Sequence, residues 1–237
     1  MHKFLPSRFD DDVLKISLIK FAIEFVLIVT GVFLGVQISN SNDAKNAEKI
    51  QNQILLQLRN EFNQIENDLA KGEKTYELIL NSTSYVLSLL RHGEQPVNGT
   101  TLKRSLYWAV QLPPPPAPSN AFQELISTGE FSKISKHELR AALLSYNELY
   151  ERSSRSNSIA ISAIMNPQSK YFEAVEWSAN YNHWEDIDAA IISYNWGKLS
   201  TAKSEMQTWL GHQYDGQLFI KSMRKEAKVI LETLEKE

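Results

Sequence analysis

Residues 21–38 read FAIEFVLIVTGVFLGVQI, a stretch apolar on every helical face except at Glu24, Thr30 and Gln37. A helix without a polar face wants lipid or a deep core. At 1.5 Å rise per residue the stretch reaches about 27 Å, close to the ~30 Å hydrocarbon thickness of a bilayer. Lys20 stands where it can snorkel to the headgroups. The stretch therefore predicts one transmembrane helix. Lys3, Arg8, Lys15 and Lys20 precede it, whereas only Lys45 and Lys49 lie in the roughly fifteen residues after it. That bias puts the N-terminus in the cytoplasm and the C-terminal portion in the periplasm of a bacterial inner membrane. A cleaved signal peptide competes, because the uninterrupted run 25–38 has the length of a signal core and Ser39-Asn40-Ser41 loosely resembles a cleavage site. Glu24 and the long segment before it speak against that alternative. A buried amphipathic helix is the third reading.

Working inward, Gly31 and Gly35 form a GxxxG pair that lets another helix approach closely, so the expected partners are membrane lipid and a second copy of the chain. Glu24 is an ionisable group inside the expected hydrocarbon and needs a partner, a proton or water. Lys20, one turn earlier on the same face, supplies a bland pairing. The functional alternative is a wet path lined by Glu24 in an oligomer, with Gln37 adding an interhelical hydrogen bond.

The residues from Glu24 to Gly31, continued by Val36, Gln37, Ile38, Ser39 and Asn40, resemble the opening of an uncharacterised family of bacterial single-pass membrane proteins. The match departs at Ile23, Ser39 and Ser41. A second patch, 121–129 (AFQELISTG) followed by Ile134, Leu139, Leu143, Tyr146 and Tyr150, is similar to that family's middle region. The resemblance implies one N-terminal anchor, a helical outer domain and no assigned activity.

Working outward, three parts are expected: a tail over 1–20, the span over 21–38 and a helical domain over 39–237. After the polar segment 40–46, apolar residues recur at Ile50, Ile54, Leu58, Phe62, Ile65 and Leu69, and again at Tyr76, Leu80, Thr83, Leu87 and Leu90, the spacing of amphipathic helices. Lys71-Gly72 is a candidate bend, and Gly93 with Pro96 reads as a stop. A short helix over 101–111 ends at Pro113, Pro114, Pro115 and Pro116, which favour a stiff polyproline connector; docking in a partner's aromatic groove is the minority reading of that run. Ser119 or Asn120 caps the next helix, Gly129 breaks it, and Ser135 with Glu138 forms a capping box for another that stops before Pro167. Further helical stretches are expected over 168–180 and from Met206 onward, with Gly211 and Gly216 as weak points. No strand alternation competes. The fold class is all-α, an antiparallel bundle of three or four principal helices.

Composition narrows the function. With Lys+Arg 25 against Asp+Glu 28 the formal net charge is -3, so no basic footprint for nucleic acid is expected. The absence of cysteine removes thiolate chemistry. The histidines are scattered; the densest potential ligand group, His183-Trp184-Glu185-Asp186-Ile187-Asp188, reads as a helix start rather than a metal site. Tyr171, Phe172, Trp177, Tyr181, Trp184, Tyr194 and Trp196 read as core before pocket. Arg152 and Arg155 with the serine-rich run 153–158 read as a solvated helix face, and anion binding there is the minority reading. No catalytic residue, metal or cofactor is assigned. The chain is expected to be a non-enzymatic, membrane-anchored sensor or interaction module that self-associates and meets a membrane or periplasmic protein partner; the alternative is a subunit of a membrane channel or ion-coupled complex using Glu24.

Overall fold

A computed structural model describes the backbone of residues 9–93 and 99–236, and the side chains of Thr30, 49–93 and 99–236 apart from Tyr181 and Trp184. Two compact units divide the chain, Met1–Ile54 and Leu55–Glu237. The described backbone of the first unit is entirely helical and belongs to α1 (Phe9–His92).

Helix α1 runs through 40–46, where a polar exit from the membrane was expected. The apolar run 21–38 is thus one part of an 84-residue helix that carries Asp10, Asp11, Asp12, Lys15 and Lys20 before it and Asp43, Lys45 and Lys49 after it. Among the described residues no helix is long and apolar enough to cross a membrane. The transmembrane helix is therefore withdrawn from the fold. With it go the inner-membrane placement with a periplasmic domain, the contact with membrane lipid, the self-association, the membrane or periplasmic partner, and both the anchored-sensor and channel readings. The residues on which those expectations rested, Lys20, Glu24, Gly31, Gly35 and Gln37, have side chains outside the described set.

The second unit is an all-α bundle with one small hairpin. Three long helices form its body: the C-terminal part of α1, α4 (His137–Ile164) and α7 (Lys203–Glu235). Periodicity explains them. In α1, Leu58, Phe62, Ile65, Leu69, Tyr76, Ile79, Val86, Leu87 and Leu90 are buried, the three-to-four spacing of one helical face. In α7 the buried stripe is carried by Met206, Trp209, Gln213, Ile220, Met223, Ala227, Ile230 and Leu234. Helices α4 and α7 are antiparallel: Trp209 Nε1 donates to Ala163 O at 3.2 Å, Arg152 lies over the Phe219 ring, and Lys136 Nζ donates to Thr233 O at 3.2 Å. On the other side of α7, Arg224 donates to Glu66 and Glu73 of α1, each at 2.8 Å, and α1 is again antiparallel to α7. The last carbonyls of α7 are met by the Arg59 guanidinium on Leu234 O and by Lys136, which answers the unpaired acceptors that every helix end leaves.

Short elements tie the ends. After α1 stops at His92, with Gly93 in the left-handed region at φ 70, α2 (Gly99–Ala109) buries Leu102 and Leu106. The proline run 113–116 with Pro118 then returns alongside α1 to α3 (Asn120–Thr128). A polyproline path at ~3.1 Å per residue covers about 19 Å over 113–118. The α1 stretch from Thr75 back to Glu61 covers about 21 Å at 1.5 Å per residue. The strut therefore has the length the return requires. At its end the Glu61 carboxylate of α1 accepts from Ser119 Oγ at 2.8 Å, Asn120 N at 2.6 Å and Ala121 N at 3.0 Å, supplying acceptors for the free N–H groups of α3. Ser119 accepts from Phe122 N, as its sequence position predicts, and Gly129 ends α3 at φ 75.

Between α4 and α7 the structure departs from expectation. Only α5 (Lys170–Ala174) is helical within 168–180; it is followed by β1 (Val175–Trp177), a single 3-10 turn, β2 (Ile191–Tyr194) and the one-turn α6 (Trp196–Leu199). The strands pair antiparallel with Val175 opposite Tyr194 and an irregularity between Glu176 and Trp177. This cap packs Leu102, Leu106, Tyr171 and Trp209 into one core; the Tyr171 hydroxyl donates to Leu106 O at 2.6 Å and its ring meets Trp209 edge-on at 5.2 Å.

Candidate functional site

A groove lies between α4 and α7, lined from both helices. Between Tyr146 and Ala160 the buried stripe of α4 is carried by Ser153 alone, so the middle of the seam is filled by a small side chain. Larger apolar groups border it instead: Ile159 is 59% exposed and Leu218 45% exposed, with Leu149 and Phe219 partly covered. The groove is shallow and widely open to solvent, with a volume of about 800 Å³. Its α4 wall from Leu149 to Ile159 is about 15 Å long at helical rise.

Charge is distributed unevenly over this lining. Arg152 and Arg155 stand on one wall against a single carboxylate, Asp215, with His212, Ser156 and Ser222 as further polar groups. The Arg152 guanidinium lies 5.9 Å from the Phe219 ring centroid, a cation–π contact that leaves its edge N–H groups free for an anion. Each arginine also reaches a carboxylate one turn back on α4, Glu148 and Glu151, at 3.8 Å. Both pairs are more than half exposed, and such pairs contribute about 0–1 kcal/mol, so they do not commit the guanidiniums. Two forked cations beside exposed aliphatic surface recognise a carboxylate or phosphate that carries an apolar body.

A nucleophile needs a base whose acceptor nitrogen faces it. Within the groove, no hydrogen bond joins His212 to Asp215, Ser156 or Ser222 among the described residues. A serine–histidine contact does occur in the hairpin, where Ser178 Oγ lies 3.0 Å from His183 Nδ1. Asn180 Oδ1 accepts from Asn182 N at 3.2 Å, which turns the Asn180 amide nitrogen toward His183 Nε2, also at 3.2 Å. Both ring nitrogens of His183 are thus engaged by side chains of its own loop, and the direction of the Ser178–His183 hydrogen bond follows the imidazole tautomer.

The other sequence candidates are placed plainly. In the 183–188 group, Asp188 accepts from Arg104 Nε and a terminal guanidinium nitrogen, each at 2.5 Å, and Asp186 accepts from Asp188 N at 3.0 Å. The hydrogen bond from Arg104 holds the Asp188 carboxyl below its usual range. Among the described residues no group of three or more histidines and carboxylates is placed to hold a metal ion. Tyr171 is core, Trp177 is partly covered between Tyr107 and Phe172, and Phe172 is exposed, so these aromatics do not converge on one pocket. Sequence reasoning read Arg152 and Arg155 as a solvated helix face, with anion binding as the minority reading. Their signal was the pair Leu149 and Ile159 bracketing a polar run, legible as a groove only once Leu218 and Phe219 are brought alongside.

Comparison with protein-family models, with curated proteins and with solved structures finds no match. The resemblance to bacterial single-pass membrane proteins is corrected on that finding, together with the lack of a membrane-crossing helix among the described residues.

Proposed function

We propose that the Leu55–Glu237 unit is a non-catalytic recognition domain whose α4–α7 groove binds an acidic, partly apolar polypeptide segment. The observation that carries this reading is the juxtaposition of Arg152 and Arg155 with exposed Ile159 and Leu218 along one seam. Arginine and large apolar side chains are what interfaces concentrate, and the groove is long enough for two to three helical turns or a short extended segment. The non-catalytic half of the proposal is supported by the hairpin histidine, whose two ring nitrogens are engaged by Ser178 and Asn180, and by Asp188, which is occupied by Arg104.

The test is a fluorescence-anisotropy titration of the full chain against a labelled synthetic peptide of about fourteen residues, with leucines at helical spacing and glutamates elsewhere. Arg152→Glu with Arg155→Glu is expected to weaken binding at least tenfold, about 1.4 kcal/mol, and added salt to weaken binding to the parent chain. Equal affinity in the double variant, or equal binding of a peptide with lysine in place of glutamate, contradicts the proposal.

A further inference from the structure

The two arginines of the α4–α7 groove are held differently. The Arg152 guanidinium carbon lies 5.9 Å from the centroid of the Phe219 ring, a contact made across the seam from α4 to α7. Among the described residues Arg155 has no such contact, and its ion pair is with Glu151 at 3.8 Å, one turn back on its own helix. Arg152 has an equivalent pair with Glu148, also at 3.8 Å. Glu148 and Glu151 stand outside the groove lining, whereas Phe219 is part of it. A guanidinium drawn to its glutamate is therefore drawn away from the groove, and one held on the ring stays in it.

Salt acts unequally on these pulls. Both ion pairs are more than half exposed, and mobile ions screen exposed pairs. Phe219 is half-buried and uncharged, so its attraction for the guanidinium is screened less than that of either glutamate. The ring also occupies only the flat face of the guanidinium, and the N–H edge that grips a carboxylate stays open.

We infer that Phe219 is the positioning residue of the groove: it holds Arg152 across the seam as the fixed anion anchor, with Arg155 as a second, unanchored cation. This role rests on the proposed use of the groove for an acidic segment, and it separates two arginines that the proposed function treats alike. Because the ring places Arg152 before a partner arrives, little of that side chain's freedom is left to lose on binding.

The test begins with the free full-length chain. In a nuclear magnetic resonance spectrum selective for arginine Nε–H groups, Arg152 is expected to be displaced upfield by the Phe219 ring current at low and high salt alike, with Arg155 undisplaced. Phe219→Leu should abolish the displacement and weaken binding of the glutamate–leucine peptide about threefold, and Phe219→Tyr, which keeps a ring, should retain both. Arg152 and Arg155 are each more than half exposed, so lysine at either position keeps the charge without disturbing the fold. Arg152→Lys is expected to weaken binding about threefold more than Arg155→Lys, and this difference should vanish in the Phe219→Leu chain, an outcome that a merely structural role for Phe219 would not produce. No displacement of Arg152 in the free chain, equal losses from the two lysine variants, or peptide binding undiminished by Phe219→Leu overturns the inference and leaves the groove's proposed use standing. Failure of the parent chain to bind the peptide overturns both.

Discussion

Gly216 and Gly211 lie in the same helix and are expected to respond oppositely to alanine. A Cβ on Gly216 would press on the Tyr76 hydroxyl oxygen and sit 2.5 Å from ring atom Cζ, so the buried tyrosine would have to move; a Cβ on Gly211 meets nothing within 4 Å. Gly216→Ala should therefore lower stability by about 1–3 kcal/mol, and Gly211→Ala should raise it by about 0.5–1 kcal/mol through helix propensity. Thermal or urea unfolding of the two variants checks both signs. Tyr76 adds a pH dependence of its own, because burial pushes its phenol up to about 12 from the ordinary 10. The folded state then keeps a proton that the unfolded chain releases first. Its contribution is present below about pH 10 and is lost as pH rises toward 12. Tyrosine absorbance followed against alkaline pH should show its ionisation coinciding with unfolding; ionisation near 10 in the intact fold would contradict the packing of Tyr76 on Gly216.

At the level of elements, α3 depends on a side chain far away in the sequence. Glu61 accepts from three donors at the start of α3, and Glu61→Ala is expected to cost about 1–2 kcal/mol, with the loss visible as early exchange of the amides of α3. Half of this arrangement was legible in the sequence: Ser119 was a candidate cap and Gly129 a stop, because both act on near neighbours. Glu61 was not legible, since nothing local links it to residue 120. The start of α4 also departs from the sequence reading. Ser135 and Glu138 have capping-box spacing, but the helix begins at His137 with Lys136 as its cap; an ammonium has no acceptor for the first-turn N–H groups, and Lys136 instead donates across to Thr233 O. The long helices α1 and α7 were legible from periodicity. The hairpin was not, as strands of three and four residues are too short to display alternation and owe their pairing to the cap built around Tyr171 and Trp209.

Among the described residues, the buried hydrophobic side chains all lie within the Leu55–Glu237 unit. A chain comprising 55–237 is accordingly expected to fold cooperatively, with one calorimetric transition; a broad, multi-step melt would contradict the division into units. Two of the unit's helix seams are fastened. Arg224 bridges α7 to Glu66 and Glu73 of α1, and the proline strut lies along α1 with the Tyr146 hydroxyl of α4 donating to Ala117 O at 3.3 Å. The α4–α7 seam, also tied by Trp209 to Ala163 O and by Lys136 to Thr233 O, opens midway into the groove that carries Arg152 and Arg155. A groove set in a bundle tied at its seams offers a partner a rigid surface at low ordering cost. The measurement that tests this most directly is methyl chemical-shift mapping of the full chain titrated with the glutamate–leucine peptide. Saturable shifts are predicted at Leu149, Ile159 and Leu218, with the exposed methyls of Leu78, Ile126 and Ile192 unmoved. Shifts confined to those distant methyls, or no shifts at all, would contradict recognition through the α4–α7 groove.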